Sequence, residues 1–90
     1  MAQSDLNQAL QHIRSKNIPL TPQRYALLEY LYTRDSYTTV KDICDALNER
    51  YPHINATSVY SSLHVFKQLG LVRELAVNDT FLRYEAAICS

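Results

Sequence analysis

The spacing of hydrophobic residues along this 90-residue chain predicts four amphipathic helices followed by two short strands. In each helical segment, apolar side chains recur at intervals of three and four residues, which places them on one face. The predicted helices span about residues 5–15, 22–32, 40–50 and 56–69. The residues predicted to face the core are Leu6, Ala9, Leu10, Ile13, Leu27, Leu28, Leu31, Val40, Ile43, Cys44, Leu47, Val59, Leu63 and Phe66.

Capping residues indicate where the first two helices begin and end. Ser4 is a favourable N-cap for the first helix. The Asn17-Ile18-Pro19 sequence ends that helix, because the residue before a proline avoids helical geometry. Thr21 can cap the second helix, and Pro22 then occupies the first helical position, where a backbone N–H is not needed.

The third and fourth helices carry similar boundary signals. Thr39 and Asp42 form a variant of the capping box, with Asp42 in the position that Glu or Gln usually takes. Tyr51-Pro52 closes the third helix, and Asn55 is a strong N-cap for the fourth. Gly70 is suited to the left-handed conformation that follows the end of a helix.

The C-terminal quarter of the chain is predicted to form a hairpin. Residues 71–77 and 81–85 have the composition of strands, and Asn78-Asp79-Thr80 is a turn signal between them. Three helices, a fourth amphipathic helix and a hairpin are the element order of a winged helix-turn-helix with one extra N-terminal helix. The predicted fold is therefore mainly α with a small C-terminal β-hairpin, in one domain over residues 1–90.

The composition excludes several classes of protein. A single glycine rules out a P-loop or a dinucleotide-binding glycine motif. Cys44 and Cys89 are far apart and provide neither zinc-ribbon spacing nor a disulfide framework. No signal peptide and no apolar run of about 18 residues is present. We expect a cytoplasmic binding module with no catalytic residues, no metal site and no membrane contact.

The net charge is zero, but positive and negative charges are segregated along the chain. Residues 6–28 and 50–73 each carry three Lys or Arg and no acid, whereas the intervening and following segments are acidic. The two basic windows predict one electropositive face if the fold brings them together. Chance segregation in a short sequence is the alternative.

The exposed side of the fourth helix has an unusual composition. Thr57, Ser61, His64 and Gln68 share one face at steps of three and four, with Ser58, Tyr60 and Lys67 beside them. Surface helices usually carry pairs of Glu and Lys, but this face has no acid. Short hydroxyl side chains can approach base edges in the major groove, and an aromatic ring can contact the thymine methyl. The alternative is a helix that docks against another protein.

The start of the second helix is a candidate phosphate site. Helix N-termini present N–H groups and a positive dipole end to anions. Thr21, Gln23 and Arg24 add polar donors there, and Lys16 and Asn17 lie on the preceding loop, within reach of a DNA backbone or minor groove. The alternative is a simple cap with a solvated Arg24.

Two segments resemble the DNA-binding domain of the ferric uptake regulator (Fur) family, and are nearest to its peroxide-response branch. They are PLTPQRYALLEYL at residues 19–31 and ATSVYSSLHVFKQLGLVREL at residues 56–75. The likeness extends over roughly residues 5–85. It implies a winged-helix transcriptional regulator, in which Tyr60 and its helix neighbours would read the major groove and Arg24 would hold a phosphate.

The chain also departs from that family's pattern. Family members continue into a second domain that dimerises and binds metals through His-rich and CxxC segments, which these residues lack. Tyr37 stands where the peroxide branch often has a metal-ligand histidine, and Ser61 and Ser62 replace the usual Asn or Arg. The resemblance therefore implies that zinc and regulatory iron or manganese sites would need the second domain, and no cofactor is expected in this chain.

Two functions remain compatible with these residues. One is sequence-specific binding of double-stranded DNA at an A·T-rich palindromic operator, by a repressor that is either a fragment or a naturally short form. Such a chain would be monomeric in isolation, and paired on DNA or dimeric through the missing domain. The other is a winged-helix protein-interaction module that has lost DNA binding.

Overall fold

The computed structural model of the chain describes residues 3–33, 37–76 and 82–87. Four helices precede a two-stranded antiparallel sheet, as the hydrophobic pattern predicts. The elements are α1 (Gln3–Ser15), α2 (Pro22–Tyr32), α3 (Val40–Leu47), α4 (Ala56–Gln68), β1 (Val72–Ala76) and β2 (Leu82–Ala86). The predicted 78–80 turn and the end of the chain from residue 88 lie outside the described residues.

The predicted caps form at three of the four helices. Thr21, Thr39 and Asn55 each accept a hydrogen bond from the backbone N–H three residues later, at 3.1, 3.1 and 2.9 Å. The prediction for Ser4 is wrong, because α1 already begins at Gln3 and Ser4 lies in its first turn. A favourable N-cap residue does not by itself fix the start of a helix, because terminal turns fray and are the least constrained part of a helix.

Two helices end in the same way, on a residue with a positive φ angle. Asn17 follows α1 with φ 57°, and Gly70 follows α4 with φ 77°. After α4, the N–H groups of Gly70 and Leu71 return to the carbonyls of Lys67 and Phe66 at 3.0 and 2.9 Å. This is a Schellman motif, and it turns the chain directly into β1.

The helices enclose one core, and the predicted inward-facing residues are buried in it with one exception. Cys44 is only partly buried, because Val40, Ile43 and Leu47 form the centre of the buried stripe of α3 and Cys44 lies at its flank. Burial, followed by the nearby Asp45 carboxylate, raises the pKa of the Cys44 thiol. The thiol is therefore not activated as a nucleophile.

The sheet is joined to the helices by contacts that the hydrophobic pattern does not reveal. Thr38 pairs with Tyr84 through two backbone hydrogen bonds of 2.8 Å, so β2 lies between β1 and the residue that precedes the cap of α3. The Tyr32 hydroxyl lies 2.8 Å from the Leu71 carbonyl oxygen and 3.0 Å from that of Ala87, and the two oxygens share its single proton. These contacts hold the hairpin against α2 and α3.

Candidate nucleic-acid interface

One face of α4 is open to solvent and free of acidic side chains. Thr57, Ser61, His64 and Gln68 are exposed along it. Tyr60 lies at its edge with 47% of its surface exposed, the highest value among the exposed large hydrophobic side chains of the described residues. The opposite side of α4 packs Val59, Leu63 and Phe66 into the core, so the helix is held firmly while this face remains accessible.

Ser58 does not share that exposure. It is half-buried, its N–H donates to the Asn55 side chain, and its hydroxyl donates to the Asn55 carbonyl at 2.9 Å. Ser62 is buried as well. Ser58 and Ser62 therefore lie on the flank of α4 that faces α2. Because it is half-buried, Ser58 is a weaker candidate for base contact than the exposed residues of α4.

The start of α2 lies beside that flank. An open cleft between the two helices is lined by Gln23 and Arg24 from α2, by Ser58, Ser61 and Ser62 from α4, and by Pro19 and Thr21 from the loop before α2. The structure thus brings the two candidate sites together on one surface. Side chains from α2 and α4 thus line one cleft.

The start of α2 has fewer free backbone N–H groups for binding an anion than its sequence suggested. Pro22 has no N–H, and the Arg24 N–H is taken by the Thr21 hydroxyl at 3.1 Å. Among the described residues the Gln23 N–H has no such partner, and this leaves it as the donor in the first turn. The Arg24 guanidinium donates one hydrogen bond to the Pro19 carbonyl at 3.2 Å, which holds it beside the loop. Any phosphate contact would therefore rest mainly on side chains.

The loop before α2 also faces solvent. Lys16 and Asn17 are exposed, and the left-handed Asn17 turns the chain away from the end of α1. The contact between Arg24 and Pro19 connects the other end of this loop to α2.

The loop between α3 and α4 adds a cation that the sequence reasoning did not select. The Tyr51 hydroxyl donates to the Pro22 carbonyl at 3.2 Å, and the Arg50 guanidinium carbon lies 5.9 Å from the centre of the Tyr51 ring. A second open cleft contains Arg50, His53 and Gln23. Arg50 therefore lies next to the start of α2. Its place in a basic window was visible in the sequence, but this proximity depends on a contact between residues 29 positions apart.

The other flank of α4 faces the hairpin and is close to electrically neutral. The Lys67 ammonium lies 3.1 Å from a Glu74 oxygen. On the opposite face of the hairpin, Arg73 lies 3.6 Å from Glu85. Two of the three cations in the 50–73 window are thus paired with acids that follow them in the sequence. The predicted electropositive face therefore loses Lys67 and Arg73 as unpaired cations, whereas Lys16, Arg24 and Arg50 form no ion pair with another described residue.

The phenol of Tyr84 is hydrogen-bonded to the carboxylate of the Lys67–Glu74 ion pair. It donates to the second Glu74 oxygen at 3.2 Å and is almost fully buried. Burial, then the neighbouring Glu74 carboxylate, and last Tyr60 raise the pKa of Tyr84 to about 12. The phenol therefore keeps its proton and continues to donate across the ordinary pH range.

Across residues 3–33, 37–76 and 82–87, no three His, Cys, Asp or Glu side chains are grouped as a metal ion would need. Within the same residues no helix is both long enough and apolar enough to span a membrane.

An exposed helix preceded by a short helix and followed by an antiparallel hairpin defines a winged helix-turn-helix protein. The sequence model of the Ferric uptake regulator family matches residues 15–90. The chain belongs to that family.

Individual relatives agree with this assignment. The Peroxide operon regulator of Bacillus subtilis (strain 168) is 38% identical over 85 residues, which are 94% of this chain and 59% of that protein. The structure of PerR from Streptococcus pyogenes, solved to explain peroxide sensing and gene regulation, superposes with a TM-score of 0.84 at 28% identity and covers 91% of this chain and 56% of that one. A zinc uptake regulator complexed with zinc and DNA gives 0.81 at 27% identity, over 93% and 54%.

The chain thus spans slightly more than half the length of the curated relatives it matches. The likeness lies in the part of those proteins that corresponds to the four helices and the hairpin described above.

Proposed function

We propose that this chain binds double-stranded DNA sequence-specifically and acts as a transcriptional repressor. The observation that carries the proposal is the cleft in which Ser61, from the acid-free face of α4, lies beside Gln23 and Arg24 of α2. A related zinc uptake regulator has been solved as a complex with DNA at a TM-score of 0.81, which supports the same partner here. The proposal includes a cytoplasmic location and no catalytic activity.

In this proposal α4 enters the major groove. Its short polar side chains at Thr57, Ser61 and His64 leave room for close approach and bond to base edges, whereas Tyr60 packs against thymine methyl groups. Such contacts favour an A·T-rich site. Gln68 and Lys67 lie toward the C-terminal end of the helix, where they would be nearer the backbone of the duplex.

The start of α2 and the loops beside it hold the phosphates. Arg24 supplies charge, Gln23 and Thr21 supply neutral donors, and Lys16 with Asn17 extends the contact along the backbone. Arg50 adds a further cation on the opposite side of Gln23. These contacts position α4 but carry no sequence information.

The chain by itself is proposed to be a monomer that pairs on a palindromic operator, where two half-sites place copies side by side. Dimerisation, zinc and regulatory iron or manganese are assigned to a second domain of the kind that longer family members have.

Two substitutions separate base reading from phosphate contact. Tyr60→Ala should weaken binding to a preferred A·T-rich duplex by about 1–3 kcal/mol and reduce discrimination against random DNA. Arg24→Ala should weaken binding to all sequences alike and lower the slope of log K against log salt by about one. Fluorescence titrations measure both effects. They use an operator duplex with two half-sites and a random duplex, at several salt concentrations in the low range.

Matched controls come from the same residue types elsewhere in the chain. Tyr37→Ala removes another exposed tyrosine, and Lys41→Ala removes a cation of α3 that lines neither cleft. Each should bind like the parent. If Tyr60→Ala and Arg24→Ala also match the parent on specific and random DNA, the groove assignment fails and the protein-interaction module becomes the better description.

A further inference from the structure

We propose that Glu74 restrains the sequence-independent part of DNA binding by holding the Lys67 ammonium in an ion pair at the edge of α4. The inference rests on the proposed function and adds a regulatory residue to it. Its basis is an arrangement in which an acid of the hairpin neutralises the one cation on the exposed half of α4.

Lys67 is placed where it would otherwise meet a phosphate. It follows Tyr60 by seven residues, so the two side chains lie on the same edge of α4, two turns apart. Half of the Lys67 side-chain surface is exposed. An unpaired ammonium at the end of a helix inserted in the major groove would reach the flanking backbone and release a counterion.

Glu74 is held in position from two directions. One oxygen accepts from Lys67 at 3.1 Å, and the other accepts from the Tyr84 hydroxyl at 3.2 Å. Glu74 and Tyr84 are directly opposite each other in the β1–β2 register, and Tyr84 is further fixed by its backbone pairing with Thr38. The carboxylate therefore has fewer alternative positions than that of a solvated glutamate, and the pair does not depend on two freely moving side chains.

The pair makes the two flanks of α4 unequal. The α2 side presents Arg24 and Arg50, with no acid lining either of its clefts, whereas the hairpin side presents a cation and an anion that cancel at a distance. A phosphate approaching Lys67 must compete with Glu74 and also meets its negative charge. Affinity for any DNA is thereby lowered without altering the side chains that contact base edges.

Glu74→Gln tests this directly, because it removes the charge but keeps the length and an oxygen for the Tyr84 hydroxyl. At low salt we expect random and operator duplexes both to bind about 3–10-fold more tightly, with a salt slope steeper by about one. In the Lys67→Gln background the same substitution should leave the slope unchanged, since no cation is released for phosphate contact.

Glu85→Gln is the matched control. It changes the net charge equally and frees Arg73, but both residues lie one register position away and therefore on the other face of the hairpin. It should change affinity less than twofold. Equal effects of Glu85→Gln and Glu74→Gln, or an unchanged slope in Glu74→Gln, would overturn the inference. So would an equal gain in slope in the Lys67→Gln background.

Thermal unfolding confirms that each variant is folded, and Glu74→Thr replaces Glu74→Gln in the same comparison if the hairpin is lost. The inference and the proposed function fail differently. If the parent prefers the operator and loses that preference in Tyr60→Ala, while Glu74→Gln binds as the parent does, the inference alone is wrong. If the parent and Glu74→Gln both fail to bind DNA at low salt, the proposed function is wrong and the inference with it.

Discussion

Tyr84 shows how one side chain links burial, charge and the edge of the candidate interface. Its ring is 2% exposed, its hydroxyl reaches Glu74, and its backbone pairs with both β1 and Thr38. Because the neutral phenol is favoured in the folded chain, its pKa is raised to about 12 from the value near 10 expected in an unfolded chain. The stability that depends on this proton is present below pH 10 and is lost as the pH rises toward 12.

The corresponding prediction concerns alkaline stability. Between about pH 9.5 and pH 11.5 the free energy of unfolding of the parent should fall by about 2 kcal/mol more than that of Tyr84→Phe. Urea denaturation at both pH values measures the difference. Tyr25→Phe, which removes an exposed phenol from α2, should behave like the parent. Parallel losses in the parent and Tyr84→Phe would show that the buried phenol does not contribute.

The ends of the helices determine how one element follows the next. N-caps at Thr21, Thr39 and Asn55 orient the starts of α2, α3 and α4, and left-handed residues at Asn17 and Gly70 end α1 and α4. The turn at Gly70 matters most for the interface, because it reverses the chain from α4 into β1 and so places Glu74 beside Lys67.

Gly70→Ala measures the cost of that turn without a packing change. A Cβ at this position would meet nothing within 4 Å, so the effect comes from the left-handed backbone alone. We expect a loss of about 1 kcal/mol in the free energy of unfolding. Asn17→Gly, at the equivalent turn after α1, should change stability by less than about 0.5 kcal/mol, because asparagine already tolerates the conformation at little cost. Urea titration measures the free energy of unfolding of both variants. An unchanged value for Gly70→Ala would contradict the prediction.

At the scale of the whole molecule, a few long-range contacts assemble the helices and hairpin into one interface. The Tyr32 hydroxyl bonds to carbonyls 39 and 55 residues away, and the Tyr51 hydroxyl bonds to a carbonyl 29 residues earlier. The first contact positions the hairpin, and the second positions Arg50 beside α2. The described core itself consists mainly of apolar side chains.

Removal of metal should leave this chain folded, because burial of apolar side chains is the main stabilising contribution expected for its core. After treatment with a chelator, we expect the Tm to change by no more than about 1 °C, because a structural zinc would otherwise contribute to the folding free energy. Differential scanning calorimetry before and after chelation, and after zinc is returned, is the measurement. A clear fall in Tm that zinc reverses would contradict the prediction, and Glu85→Ala and Cys89→Ala would then identify the ligands.

Much of the fold could be predicted because it depends on local rules. The helical spacing of Leu6, Leu10 and Ile13, and the caps at Thr39 and Asn55, act within one or two turns and are readable in the sequence. The exposed face of α4 followed from the same spacing. Local rules were not sufficient for Ser4 and Cys44. The first residue of a helix, and the burial of a residue at the flank of an apolar stripe, depend on which other parts of the chain pack against them.

The sequence by itself determined the helices, the hairpin, the inward faces and the polar composition of α4, since each depends on neighbours within a few positions. The tertiary structure alone decided which charges are paired and which surfaces meet. Lys67 and Glu74 cancel, Arg50 joins the start of α2, and Thr38 bonds to Tyr84, although no periodicity connects the members of these pairs. The physical reason is that Coulomb interactions and hydrogen bonds depend on distance in space, which the fold sets.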